Sequence, residues 1–329
     1  MNDRQSTLAI VVPCYNEEEV LPISLPELLR VLDDLVNKKK ISSDSYLLMV
    51  NDGSRDKTWD LLEEWHEKDA RVCAVKLAKN CGHQSALVAG LMTAREDADL
   101  TVSIDADLQD DVAVIEEMVD EYHNGCEIVY GVRGSRKSDS FFKRTTAEGF
   151  YKLLASLGVK TVFNHADFRL MSRKALNELA EYKETNLYLR GLIPMLGLKT
   201  GKVVYERKER LAGESKYPLK KMLALALNGI TSFSVQPIRL VFKVGLFVLL
   251  ICLGAAVYAF VSYITGSVER GWTSLILSIW FLGGIQLLAI GVIGEYIGKI
   301  YNEVKQRPLY HIETILKEGP DKEFGDGVV

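Results

Sequence analysis

The chain has 329 residues, 48% of them hydrophobic and 26% charged, with a formal net charge of −4. That length and apolar content suffice for one large or two smaller domains with a sizeable core, and the mildly acidic balance gives no general case for a nucleic-acid partner. The five cysteines (Cys14, Cys73, Cys81, Cys126, Cys252) are scattered without Cys-x-x-Cys spacing, which favours buried thiols in a reducing compartment over disulfides or a zinc site.

The opening Met1-Asn-Asp-Arg-Gln-Ser has no charged-then-apolar leader pattern, so the first domain is expected in the cytoplasm. Leu8 to Val12 reads as a first strand that opens into the polar loop Pro13-Cys-Tyr15-Asn-Glu17-Glu. Leu25, Leu28, Leu29, Leu32, Leu35 and Val36 recur at helical spacing after it, with Lys38-Lys-Lys at that helix's negative end. Tyr46 to Val50 is a second strand, followed by Asn51-Asp52-Gly53-Ser54, where Gly53 supplies backbone freedom and Ser54 or Asp56 caps a helix carrying Leu61, Leu62 and Trp65. A third strand, Val72 to Leu77, leads through Asn80-Cys-Gly82-His83-Gln84 into the small-residue helix Ala86 to Ala94. A fifth strand, Glu127 to Tyr130, leads to Gly131-Val-Arg133 and Arg136. Strands alternating with helices predict a doubly wound, mainly parallel sheet.

The fourth strand is the centre of the pattern. Leu100-Thr-Val-Ser-Ile-Asp105-Ala106-Asp107-Leu-Gln109-Asp110-Asp111 is an apolar run that ends in two carboxylates one residue apart. A buried strand delivering acids to its carboxyl end puts them where open α/β sheets bind ligands. Two carboxylates and an amide oxygen form a hard, oxygen-only set suited to Mg²⁺ or Mn²⁺ together with substrate phosphates. The plainer alternative is a strand followed by an acidic helix start, with Asp110 and Asp111 at the positive end of a helix over Val112 to Val119. Neither Gly-x-Gly-x-x-Gly nor a complete phosphate-binding loop with Gly-Lys-Ser/Thr occurs, so dinucleotide oxidoreductases and P-loop hydrolases lose weight.

Further along, Phe141 to Leu157 reads as an amphipathic helix carrying Lys143 and Arg144. His165-Ala-Asp167-Phe-Arg169-Leu-Met juxtaposes an acid and a base, for which a buried Asp–Arg pair is the plainer account and a catalytic role the sharper one. Arg207-Lys-Glu-Arg-Leu-Ala-Gly213-Glu-Ser-Lys216-Tyr217 is a basic, glycine-containing loop; beside an Asp-x-Asp site it would act as a lid over a leaving diphosphate. Pro218 to Ser234 predicts a helix lying in a membrane interface. Val244 to Ile264 and Trp272 to Ile293 are uncharged, and each reaches the ~20 residues of a bilayer-crossing helix. Basic residues on their outer flanks predict that both chain ends lie in the cytoplasm, with 266–271 on the far side. The tail from Glu318 to Val329 is expected to be mobile.

Together, Pro13-Cys-Tyr15-Asn-Glu17-Glu, Asn51-Asp52-Gly-Ser, Asn80-Cys-Gly-His83-Gln84, Asp105-Ala106-Asp107-Leu-Gln109-Asp110, Asp167-Phe-Arg169 and Gly213-Glu-Ser-Lys216-Tyr resemble the family 2 inverting glycosyltransferases. More narrowly, the chain resembles polyisoprenyl-phosphate glycosyltransferases of the bactoprenol glucosyltransferase type and is similar to dolichol-phosphate mannose synthases. It departs from their pattern at Asp111-Val112, where Pro-Pro is common, and at His165-Ala166, where Gly or Cys precedes the acid.

The resemblance implies a GT-A type sheet domain over 1–217, a juxtamembrane amphipathic helix over 218–237, a hairpin of two transmembrane helices over 238–298 and a cytoplasmic tail over 299–329. It implies a UDP-sugar donor held by Pro13, Tyr15, Glu17, Asp52, Asp105 and Ala106, with Arg207 and Lys216 helping as the loop closes. Asp105, Asp107 and Gln109 would ligate Mg²⁺ or Mn²⁺, and Arg133, Arg136 and Arg144 would hold the phosphate of a polyprenyl phosphate acceptor in the bilayer. Asp107 and Asp167 are then the catalytic candidates, Asp167 as general base. Because a phosphate monoester is largely dianionic at neutral pH, Asp167 alternatively orients Arg169 or the acceptor.

Glucose is the sugar that the family favours, with N-acetylglucosamine or another UDP-sugar open, and the relatives imply a homo-oligomer, a tetramer. A tethered sugar-nucleotide binding protein, a processive polysaccharide synthase and a phosphoglycosyl transferase are the competing readings. The synthase is disfavoured because none of Trp59, Trp65, Trp272 and Trp280 follows an arginine.

Overall fold

A computed structural model describes residues 5–134, 165–184, 189–206, 236–265 and 271–317. These fall into two units: a sheet domain, and a pair of long apolar helices. The expected helices over Phe141–Leu157 and Pro218–Ser234, the basic loop with Arg207 and Lys216, and also Arg136, Arg144 and the tail from Glu318 lie outside the described residues.

The sheet domain opens with β1 (Leu8–Cys14), α1 (Leu21–Asn37), β2 (Tyr46–Asn51), α2 (Thr58–Lys68), β3 (Val72–Leu77) and α3 (His83–Ala94). It continues through β4 (Leu100–Ser103), α4 (Val114–His123), β5 (Ile128–Arg133), β6 (His165–Ser172), α5 (Arg173–Ala180), the short α6 (Leu189–Leu192) with a 3₁₀ turn after it, and β7 (Thr200–Tyr205). One last strand, β8 (Ile312–Leu316), joins it from beyond the apolar helices. The strands form one sheet in the order β7-β5-β6-β4-β1-β2-β3-β8.

Every residue of β1 is buried, because helices cover both faces of the sheet. Leu8, Ile10 and Val12 join the core under α1, α2 and α4, while Ala9 and Val11 join the one under α3 and α5. Helix α3 lies directly on the strands because position 90 is glycine: a Cβ there would stand 2.5 Å from Val11 Cγ1 and 2.6 Å from Val50 Cγ2.

The sheet is mainly parallel, as expected, with two antiparallel members: β6 between β4 and β5, and β8 along β3. The segment after the apolar helices is not simply a tail, since β8 extends the sheet. It is held there by Lys76–Glu313 at 2.8 Å, by a Lys317–Asp97 ion pair and by the Lys317 ammonium 4.2 Å from the Tyr46 ring centre.

The second unit consists of α7 (Gln236–Ile264) and α8 (Trp272–Lys305), which touch each other. Both run past the bounds expected for the spans. Among the described residues, one stretch, Phe281–Lys305, is by length and composition long and apolar enough to cross a membrane.

Candidate active site at the carboxyl edge of the sheet

The chain places β2 and β3 on one side of β1 and β4 on the other. In open sheets of this kind the ligand crevice lies where the winding reverses, here past the carboxyl ends of β1 and β4. Its first wall is made of two interlocked loops. Asn16, in the left-handed region at φ 56°, donates its N–H to Ser54 Oγ (3.0 Å), and its side-chain oxygen accepts from the N–H of Arg55 (2.9 Å). The Glu17 N–H donates to Thr58 Oγ1 at 2.9 Å. This lacing leaves Tyr15, 42% exposed, as an aromatic face on the rim, with Pro13 buried behind it and Glu17 half-buried.

Asp52 stands one residue past β2 and is buried. Its two carboxylate oxygens accept the N–H groups of Cys81 (2.7 Å) and Gly82 (2.9 Å), which fastens the β3–α3 loop. Burial pushes its carboxyl up, partly offset by those two amides. The residue expected to hold the nucleotide is therefore first an organiser of the wall. Gly53 allows the same closeness: at φ 63°, a Cβ would lie 2.6 Å from Asn80 N and 2.7 Å from Lys79 C.

Strand β4 ends at Ser103, and Asp105, Ala106 and Asp107 follow it into the crevice. Leu108 adopts φ 44°, a left-handed conformation costly for a branched side chain, about 1–3 kcal/mol. It turns the chain so that the Gln109 N–H meets Asp107 Oδ1 at 3.3 Å and the Gln109 side chain is buried. The Gln109 amide nitrogen has no acceptor among the described residues. Turning that amide over would present its oxygen instead, the orientation a cation selects.

Among the described residues no group of three or more His, Cys, Asp or Glu side chains has the spacing of a metal cage. Asp105 and Asp107 with the Gln109 amide nonetheless fit Mg²⁺ or Mn²⁺, which take few carboxylates and complete their shell with water and phosphate. Burial, together with Asp167, Asp110 and Asp107, raises the Asp105 carboxyl, while His83 opposes the rise. A divalent cation would reverse that balance.

The opposite wall comes from β6. The pairing of Ser103 with Arg169, reinforced by a Ser103 hydroxyl that donates to the Asp167 carbonyl, puts Asp167 just past the end of β4. Asp167 is bound by the fully buried Arg169 and by Arg190 of α6, whose Nε and Nη2 reach Oδ1 (3.3 Å) and Oδ2 (3.0 Å). His83 Nε2 lies 3.6 Å from Asp105 Oδ1 and 3.8 Å from Asp167 Oδ2. Burial alone would raise the Asp167 carboxyl, but the two guanidiniums outweigh it and hold the group well below the usual carboxylate range.

A carboxylate so stabilised in its charged form is a weaker proton acceptor than a free one, which favours the orienting role over that of general base. The buried Asp–Arg pair is present, enlarged by Arg190. The two acids after Gln109 also divide their duties. Asp111 does meet the start of α4, accepting the Ala113 N–H at 3.3 Å, whereas Asp110 turns inward. Asp110 accepts from Arg133 (3.1 Å) and from the Tyr205 hydroxyl (2.6 Å), at the paired last residues of β5 and β7. Arg133, expected on the acceptor phosphate, is thus engaged within the domain while a quarter of its side chain (26%) stays exposed.

His83 and Arg190 were not among the expected site residues. His83 sits in Asn80-Cys-Gly82-His83-Gln84, a motif that carries the family resemblance without an assigned role, so a signal was present; Arg190 lies in none of the quoted motifs.

Residues 9–180 match the model of the family described as "Glycosyl transferase family 2", and residues 236–300 that described as "GtrB C-terminal hairpin". The uncharacterized glycosyltransferase YkoT of Bacillus subtilis (strain 168) is 55% identical over 96% of this chain and 94% of its own length. YkcC of the same strain, likewise an uncharacterized glycosyltransferase, is 44% identical over 94% of each chain. The SfII prophage-derived bactoprenol glucosyl transferase of Shigella flexneri is 38% identical over 95% of this chain and 99% of its own. With its sheet domain and its helical pair both matched, this chain belongs to glycosyl transferase family 2 and carries the GtrB-type C-terminal hairpin.

Proposed function

We propose that the protein transfers glucose from UDP-glucose to undecaprenyl phosphate or a similar polyprenyl phosphate, at the cytoplasmic face of the membrane. The observation that carries the reading is the meeting, just past β4, of an oxygen-rich Asp105–Asp107–Gln109 turn with a guanidinium-bound carboxylate, on a chain that continues into two long apolar helices. The bactoprenol glucosyl transferases that match end to end supply the acceptor class and the sugar.

In this mechanism an oxygen of the acceptor phosphate attacks the anomeric carbon. The bond from that carbon to the UDP β-phosphate oxygen breaks, UDP leaves, and the configuration inverts. A dianionic phosphate needs no base, so the nearby residues serve to place the reactants and balance charge. Asp105, Asp107 and Gln109 would hold a divalent ion, whose chemistry is neutralisation of the departing diphosphate. Tyr15 and Glu17 line the nucleotide side, and Arg207 and Lys216 would add positive charge against the departing diphosphate. Arg133, Arg136 and Arg144 receive the lipid phosphate. Keeping the enzyme on the bilayer avoids extracting the lipid, at about 0.8 kcal/mol per CH₂.

Membrane topology follows the same reading. Exposed Phe247, Leu250, Ile251 and Val257 on α7, and Leu287, Leu288 and Ile290 on α8, suit lipid rather than water. The chain leaves the sheet after β7 and rejoins it at β8, which supports an even number of crossings: α7 and α8 as two spans, with both chain ends cytoplasmic. Assembly into tetramers belongs to the same proposal.

The test is a panel of sugar nucleotides with polyprenyl phosphate and Mg²⁺ or Mn²⁺, read as label in the organic phase and as nucleotide released. UDP-glucose is expected to give a labelled lipid and UDP, and Asp107→Ala to abolish both. Release of UMP, no labelled lipid with any donor, or undiminished transfer by Asp107→Ala would overturn the reading.

A further inference from the structure

Arg190 lies 23 residues beyond Asp167, yet both ends of the connection are fixed. The Leu189 N–H, next to it, donates to Gln84 Oε1 at 3.2 Å, which ties the start of α6 to the first turn of α3. The guanidinium itself is gripped edge-on by both oxygens of Asp167. The Gly82-His83-Gln84 motif therefore has two structural products: His83 between Asp105 and Asp167, and a seat for Arg190.

The two arginines on Asp167 differ in access. Arg169 is 1% exposed, as a structural counter-ion would be, whereas Arg190 is 36% exposed. Of the two guanidiniums on Asp167, Arg190's is the one that reaches the surface, and it adjoins the Asp105 turn through His83. Guanidinium is the side chain best shaped for a phosphate, and a partner already gripping one edge fixes its plane before the ligand arrives.

We propose that Arg190 binds a phosphoryl group at the reaction centre, and that Asp167 is the positioning residue that aims it. The inference rests on the transfer reading above. The phosphoryl group is either the acceptor's monophosphate or the donor's diphosphate, and the experiment separates them.

Steady-state kinetics of the full chain in detergent micelles, varying UDP-glucose and polyprenyl phosphate in turn, would compare wild type with Arg190→Gln, Arg190→Lys and Asp167→Asn. Loss of one charge-assisted contact corresponds to roughly a 10–100-fold rise in KM. A rise confined to the lipid assigns Arg190 to the acceptor, and one confined to UDP-glucose assigns it to the donor; Arg190→Lys should fall between. Asp167→Asn should reproduce the same KM defect, and the double variant should be little worse than either single one, since both break one device. Added guanidinium ion should restore part of the activity of Arg190→Gly, which a purely structural role would not allow.

Unchanged KM values in Arg190→Gln would overturn the proposal, as would a kcat loss in Asp167→Asn that is additive with Arg190→Gln. Calorimetric binding of UDP and of farnesyl phosphate gives a readout independent of turnover. If wild type transfers no sugar, the transfer reading fails. Arg190 then stands if Arg190→Gln weakens either ligand by about tenfold and falls if it weakens neither.

Discussion

Two carboxylates stand on opposite sides of the β1–β4 switch point, the buried Asp52 in the parallel half of the sheet and the half-buried Asp167 on the antiparallel β6. Asp52 is satisfied by two backbone amides, and burial pushes its carboxyl up. Asp167, 13% exposed, is satisfied by two guanidiniums and driven down. One half of the site is shaped by main-chain geometry and the other by paired charge, so the two halves should fail differently.

The largest expected effect is on the charged side. Asp167→Ala leaves two arginines without their carboxylate, one of them fully buried, and should destabilise the sheet domain by about 3–5 kcal/mol. Thermal unfolding of the detergent-solubilised protein measures it; a loss below about 1 kcal/mol would make the pairing incidental.

Acid titration sharpens the same point. The folded carboxyl lies below its unfolded value of about 4, so its stabilising contribution is complete above that pH and fades as the pH falls toward the folded value. The stability gap between wild type and Asp167→Asn should therefore hold from pH 8 to 5 and narrow below about pH 4.

On the main-chain side, Gly53→Ala should cost about 1–3 kcal/mol, because the new Cβ meets backbone atoms of Lys79 and Asn80 at a left-handed position. Its effect should not vary with pH between 5 and 8. Smallest is Asp52→Asn, at about 1 kcal/mol: one amide N–H loses its acceptor, while the cost of burying a charge is relieved. A larger loss than from Asp167→Ala would reverse the comparison.

Much of the parallel half was legible in the chain. The strand runs and the placement of Asp52, Asp105 and Asp107 past strand ends follow from apolar runs closed by polar turns, a local pattern. Other features depend on partners far apart in sequence. Asp110 meets Tyr205 across 95 positions, and β8 meets β3 only after both apolar helices. The antiparallel sense of β6 cannot be read from its composition, since an apolar run has no direction. Arg190 sits on a helix of four residues, too short for periodicity to register, and its role depends on a fold that brings β6 beside β4.

The edge strand β8 also orders the protein's biosynthesis. It is the last element of the sheet to leave the ribosome, and until it arrives β3 presents an open row of backbone donors and acceptors, the kind of margin that invites unwanted pairing. Strand β3 therefore cannot be covered before both hydrophobic helices have been made, so a chain cut short within the hairpin would leave that strand as a bare, adhesive rim.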